Sequence, residues 1–274
     1  MDGSLDPSFG DGGTQTTNWG SVGTSLRDIE FQADGKIVVS GNRYAGACSP
    51  GITNSTVTRY TEDGHLDTSF GSGGELRRDI PHGPHHDGNN ALALGPDDSL
   101  WATGADGYWS WAGIQRYTSS GSFITEDVIS TGYATAGGIE FNGVDRMIAA
   151  TTDEVVQYGL DGVKIGWSGT SPASYSVDTS PAPFETRASS MQLDDDGRIL
   201  ILSESTTSFR VVRYLSDGTL DPSFGDDGIA EISAGYDHFR ATSIARQPDG
   251  YIVVGGTIEV TPGDRDFALI RLCE

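Results

Sequence analysis

At 274 residues the chain suits one large repeat domain or two ordinary ones. A net charge of −22 argues against nucleic acid and anionic membrane surfaces as partners, since both need clustered Lys and Arg. Low hydrophobic content (36%) with 38 glycines fits short strands joined by many turns; no apolar run reaches membrane-spanning length, and two cysteines are too few for a disulfide framework.

The chain opens on Asp2-Gly3-Ser4-Leu5-Asp6-Pro7-Ser8-Phe9-Gly10. This run recurs as Asp63-Gly64-His65-Leu66-Asp67-Thr68-Ser69-Phe70-Gly71 and Asp217-Gly218-Thr219-Leu220-Asp221-Pro222-Ser223-Phe224-Gly225. Worn copies begin at Ser120 and Asp161. An apolar strand precedes four of the copies and ends in Arg59-Tyr60, Arg116-Tyr117, Gln157-Tyr158 or Arg213-Tyr214. The last such strand, Phe267 to Leu272, has no copy after it. Aligning Leu272 with Tyr60 makes Asp2 the next residue in frame. The expectation is a ring whose last blade is shared by the two chain ends, with residues 11 to 19 pairing as the outer strand beside Phe267 to Leu272.

Within one repeat, Ser25 to Ala33 alternates as a strand, Asp34-Gly35 is a hairpin turn, and Lys36 to Gly41 is a β-branched strand. A loop leads to the strand Thr56 to Tyr60; Asp63-Gly64 turns the chain, and Leu66 to Ile80 holds a loop and a fourth strand. These are strands A to D, counted from the axis outwards. Ile29, Leu92, Ile139, Met191 and Ile244 align on strand A without gaps, and so do the turns that follow. The expected fold is all-β: a single five-bladed β-propeller of four antiparallel strands per blade, closed by the N-terminal strand. Its blades fall at about 24–80, 88–130, 135–178, 186–233, and 239–274 plus 2–19.

The run Asp2 to Gly10, then Gln32-Ala33-Asp34-Gly35-Lys36-Ile37-Val38-Val39-Ser40-Gly41, then a strand ending Arg59-Tyr60, resembles the delta-60 repeat of bacterial β-propellers. The resemblance covers blades one, four and five well, blade two fairly and blade three poorly. It implies the fold and no single activity. The Leu-Asp-Pro-Ser-Phe-Gly element is read as scaffold, with Phe plugging between blades and Asp capping a turn. Asp194-Asp195-Asp196-Gly197 occupies an ordinary A–B turn and lacks a spaced set of calcium ligands.

The D–A and B–C loops share one face, here called the mouth, and they vary in length and sequence between blades. Three of the five histidines, His82, His85 and His86, lie in the blade-two D–A loop, which runs on to Asn90; His238 lies in the matching loop of blade five. Ser25, Gly88, Thr135, Arg187 and Arg240 share one rung near the start of strand A, and Arg27 is two residues deeper in blade one. Guanidinium groups suit carboxylate or phosphate oxygens. Tyr108, Trp109, Trp111, Tyr133 and Tyr236 fringe the same face, with Tyr44 and Phe184, and suit stacking on a sugar or aromatic ring.

The leading expectation is a ligand-binding propeller. It would hold an organic acid, sugar or aromatic compound between Arg27, Arg187, Arg240, Asn90 and the aromatic side chains. The alternative is an enzyme (lyase, cyclase or glycosidase type) with His85, His86 or His238 as general acid or base. The second alternative is a structural or adhesive repeat module. The acids Asp28, Asp87, Glu185 and Asp237 do not share a rung, so no glycosidase pair is indicated. No nucleophile elbow or phosphate loop is present, and neither cofactor nor resident metal is expected. The expected partner is a small molecule or carbohydrate, bound by a monomer. The compartment stays open between the cytoplasm and export with the signal removed. Cys48 and Cys273 fall on opposite faces and are expected as free thiols.

Overall fold

The computed structural model describes residues 3–20, 23–44, 53–78, 88–105, 112–130, 136–151, 154–166, 174–176, 187–204, 208–232, 239–261 and 264–273. These residues contain strands and turns and no helix. Five consecutive antiparallel sheets follow the order of the repeats, which is the all-β architecture of a five-bladed β-propeller. The chain forms two compact units, Met1–Val128 and Ile129–Glu274.

The first unit holds two blades. Blade one is β1 (Thr24–Phe31), β2 (Ile37–Tyr44), β3 (Thr53–Tyr60) and β4 (Glu75–Arg78), in that order. Blade two is β5 (Gly88–Leu94), β6 (Leu100–Ala105), β7 (Ala112–Tyr117) and β8 (Phe123–Ser130), and the boundary between the units falls inside β8. The A–B turns form where Asp-Gly supplies the positive φ, as at Gly35 (82°). Blade two has Asp98 there instead, also left-handed (φ 58°), and its carboxylate accepts the Ala33 amide of blade one. Side chains alternate across each strand. Val38, Val57 and Phe70 therefore leave blade one together and bury against Leu92, Leu100, Ala102 and Tyr117 of blade two. Full burial of each large apolar side chain contributes about 1.5–3 kcal/mol.

The second unit holds three blades. Blade three is β9 (Ala136–Phe141), β10 (Arg146–Thr151) and β11 (Glu154–Gly159); the short β12 (Lys164–Ile165) and β13 (Ser174–Ser176) both pair with β11. Blade four is β14 (Arg187–Leu193), β15 (Ile199–Glu204), β16 (Phe209–Tyr214) and β17 (Ile229–Ile232). Blade five is β18 (Phe239–Arg246), β19 (Ile252–Thr261) and β20 (Asp264–Leu272). Leu200, Leu202, Phe209 and Val211 of blade four bury against Ala241, Ile244, Ile252 and Val254 of blade five.

Among the described residues β18, β19 and β20 pair as the fifth sheet, and residues 11–19 form turns and extended chain. Within the first unit the N-terminal segment is anchored on blade one. The Gly10 amide donates to the Asp63 carbonyl at 2.7 Å, Tyr60 Oη donates to Thr17 Oγ1 at 2.9 Å, and Arg43 donates to the Trp19 carbonyl. Phe9 lies over Gly64 as Phe70 lies over Gly121: a Cβ on either glycine would stand 2.7 or 2.9 Å from the ring. Residues 3–19 thus sit on blade one as the C–D loop and fourth strand of a preceding blade would. Those contacts fix the segment through side chains and single backbone bonds, so its position does not require a strand ladder. β20 is the edge strand of its sheet, and Phe267 is 94% exposed whereas its frame equivalent Phe209 is buried.

The repeated Leu-Asp-x-Ser-Phe-Gly element acts as scaffold. Arg59 Nε meets Asp67 Oδ2 at 2.9 Å, and the guanidinium stacks 4.5 Å from the centre of the Phe70 ring. The other carboxylate oxygen accepts the Ser69 amide and hydroxyl. Blade four repeats this with Arg213, Asp221 (2.8 Å), Ser223 and Phe224 (4.6 Å). Burial raises the Asp67 and Asp221 carboxyls, but the serine hydrogen bonds and the arginine charge outweigh it, so both are held below the usual carboxylate range. The C-terminal Cys273 is a free, exposed thiol, and Cys48 lies outside the described residues.

Replacing Asp67 or Asp221 by Ala leaves a buried, unpaired guanidinium. Each change is expected to cost about 3–5 kcal/mol in urea unfolding. A loss below about 1 kcal/mol would mean the pair behaves as a surface ion pair. Because both folded-state pKa values are depressed, this contribution is present above the ordinary carboxylate pKa and disappears as pH falls through the folded one. The midpoint of wild type should drop on acidification more steeply than that of Asp67→Asn.

Candidate functional site

Strand A carries the same irregularity in every blade. The A–B register shifts between Leu26 and Asp28, Asn89 and Ala91, Ala136 and Gly138, Ala188 and Ser190, and Ala241 and Ser243. One residue per blade is left unpaired: Arg27, Asn90, Gly137, Ser189 and Thr242. These are β-bulges, which bend a strand and re-aim its side chains. Ser189 Oγ and Thr242 Oγ1 turn back on the B-strand carbonyls of Leu202 and Gly255, each at 3.4 Å. Arg27 and Asn90 hold the same bulge position with longer side chains, and Arg27 is exposed.

The bulge brings the two strands close, and glycine answers that need. A Cβ on Gly41 would stand 2.0 Å from the Ser25 carbonyl oxygen, and one on Gly256 2.1 Å from that of Arg240. The rung read from the sequence survives in the registers. Ser25 pairs with Asn42, Gly88 with Ala105, Arg187 with Glu204 and Arg240 with Thr257, all at equivalent positions. Arg187 and Arg240 lie on β14 and β18, which pack against each other within the second unit, and Arg240 is exposed. His85, His86, His238, Tyr108, Trp109, Trp111, Tyr133 and Tyr236 lie outside the described residues, as do Asp87, Glu185 and Asp237.

The described acids of strand A hold the blades together. Asp28 accepts the amides of Ile29 (2.9 Å) and of Leu92 on the next blade (2.8 Å). Glu140 accepts the Leu193 amide at 2.7 Å, and Gln192, at the same frame position one blade on, accepts that of Arg246 at 2.6 Å. Glu30 shares the Glu140 column; burial first, then the Asp28 charge, raises its carboxyl above the usual range. On the opposite face, a cleft of about 580 Å³ is lined by Asp6, Ser8, Phe9, Thr61, Glu62 and Asp63. Asp6 and Asp63 there are engaged by Ser8 and Thr61. Among the described residues no group of three or more metal-ligating side chains converges.

Sequence reasoning found the rung and missed the bulges, although the glycines at 41, 104 and 256, which share one frame position, were their visible sign.

A family described as "Domain of unknown function (DUF5122) beta-propeller" matches residues 32–70, 195–224 and 247–272, in the three blades where the repeat reads most clearly. No curated protein matches the chain. Among solved structures, a protein of unknown function from Bacteroides caccae is 13% identical, with 92% of this chain and 79% of that one covered at a TM-score of 0.52. One from Dyadobacter fermentans is 10% identical, with 90% and 79% covered at 0.53. A glucose dehydrogenase is 13% identical, with 93% and 84% covered at 0.51. At these identities the likeness shows the fold alone: the chain has the β-propeller fold.

Gly256→Ala is expected to push the Arg240 backbone away and to cost about 1–3 kcal/mol through overpacking. Urea unfolding reads the cost, and a crystal structure of the variant reads the shift; an unmoved β18 at unchanged stability would contradict the close approach.

Proposed function

We propose that this propeller, whose repeat we read as the delta-60 type, binds a small ligand at its D–A and B–C loop face. The observation that carries the reading is the bulged strand-A rung. Five bulges fall at one frame position, which Arg27 and Asn90 hold in blades one and two, and two residues earlier the same frame carries Arg187 and Arg240 on neighbouring blades. Bulges re-aim the residues at strand ends, and strands hold a binding group more precisely than loops do. In a chain of net charge −22, two arginines at one rung, Arg240 of them exposed, are a local exception. Their planar donors suit a carboxylate, and the aromatic residues of the flanking loops suit the apolar face of the same ligand. The ligand class is an organic acid, a sugar or an aromatic compound, taken by a monomer without a cofactor.

A thermal-shift screen against organic acids and sugars, followed by calorimetry on the best compound, tests this. Arg187→Ala and Arg240→Ala should each weaken binding by about 1–3 kcal/mol, the loss of a charge-assisted hydrogen bond. Equal affinity in wild type and both variants would remove the arginines from the site.

A further inference from the structure

The cleft of about 580 Å³ between Asp6 and Asp63 stands where other copies of the repeat hold an arginine. In blades one and four the aspartate keeps one carboxylate oxygen for a serine amide and hydroxyl. Its other oxygen takes a guanidinium, Arg59 at 2.9 Å and Arg213 at 2.8 Å. That guanidinium stacks on the Phe70 or Phe224 ring. Its far amino group reaches the next blade, where Arg59 Nη1 donates to the Ser119 carbonyl.

The N-terminal copy has every part of this cradle except the arginine. Asp6 Oδ1 accepts the Ser8 amide at 2.9 Å and the Ser8 hydroxyl at 2.6 Å, as in the other copies. The backbone matches as well: φ is 56° at Gly10, 53° at Gly71 and 56° at Gly225. Glu62 is the frame equivalent of Ser119, and it lines the cleft with Thr61, Asp63 and the Phe9 ring. Asp6 is exposed, whereas Asp67 and Asp221 are buried under their arginines. Among the described residues Asp6 Oδ2 meets no cation, and none stacks on Phe9.

We infer that this cleft is a guanidinium-binding site. A carboxylate oxygen, a backbone carbonyl and an aromatic face, set out as in blades one and four, fit a flat, forked cation. An ammonium is a point charge and cannot match the fork and the ring together. The Glu62 and Asp63 carboxylates add negative charge to the lining and turn anions away. Ser8 already fixes the Asp6 carboxylate, so little order is lost when Oδ2 is engaged. Two sources supply this chemistry: a free guanidinium compound, or an arginine of the chain itself. Arg271 is the side chain to test. It is the frame equivalent of Arg59, it is exposed, and its guanidinium lies 4.2 Å from the centre of the Tyr251 ring with no carboxylate on it among the described residues. The site does not draw on the proposed ligand face.

Agmatine is the probe, with butylamine as its ammonium counterpart, both read by NMR titration of the whole chain. Wild type, or Arg271→Ala if Arg271 already holds the site, should bind agmatine about tenfold more tightly than butylamine. Binding in wild type gives a free compound as the source; binding only in Arg271→Ala gives the chain's own arginine. In whichever protein binds, Asp6→Asn should weaken agmatine about tenfold. That change keeps an oxygen for the Ser8 hydrogen bonds and should fold. Phe9→Leu, which removes the ring, should weaken agmatine more than butylamine. Agmatine bound by neither wild type nor Arg271→Ala overturns the inference. Binding that Asp6→Asn leaves unchanged, or that butylamine equals, overturns it as well.

Discussion

The guanidinium of Arg59, desolvated between the Asp67 carboxylate and the Phe70 ring, ties three parts of a blade to its neighbour. The arginine ends strand C, the aspartate opens the C–D loop, and the ring sits over Gly121 of blade two. Arg59 also donates to Gln32 on its own A–B turn and to the Ser119 carbonyl of blade two. One charge therefore fixes a turn, a loop and a seam. Taking an arginine out of water is costly unless it is paired and hydrogen-bonded, and this cluster supplies both. Blade four uses the same solution with Arg213.

Where the aspartate is missing, the arginine finds another surface. Blade two has Ile124 at the position of Asp67, and Arg116 stacks 4.9 Å from the Trp101 ring instead. Blade three replaces the arginine with Gln157, whose amide oxygen accepts from Arg146. The repeat tolerates these changes because the apolar faces of strands B and C still fill the seams between blades one and two and between blades three and four. The N-terminal copy keeps the Asp6–Ser8 turn and the Phe9–Gly64 contact, so that segment is held by the geometry common to the repeats.

The proposed ligand face lies at the other end of the strands. The scaffold elements recur, so they carry no specificity; departures from the frame do. Arg27 and Asn90 depart from the hydroxyl or glycine found at the other bulges. In each case the backbone is ordinary for the repeat, and only the side chain is unusual. A repeat protein thus offers its own internal control, because each blade shows what its neighbour would hold by default.

The sequence by itself determined the number of blades, their strand order, and the scaffold role of the Asp-x-Ser-Phe-Gly column. These depend on period-two alternation, Asp-Gly turns and spacing, all of which are local. It also put Arg187 and Arg240 on one rung, since an ungapped alignment on Ile29 preserves register. Tertiary structure alone decided the rest. A bulge adds one residue to a strand without changing its composition, so Arg27 could not be told from a paired residue. The anchoring of the N-terminal segment on blade one was also beyond the sequence, because it rests on contacts of Phe9, Gly10 and Thr17 with Gly64, Asp63 and Tyr60, which are distant in the chain.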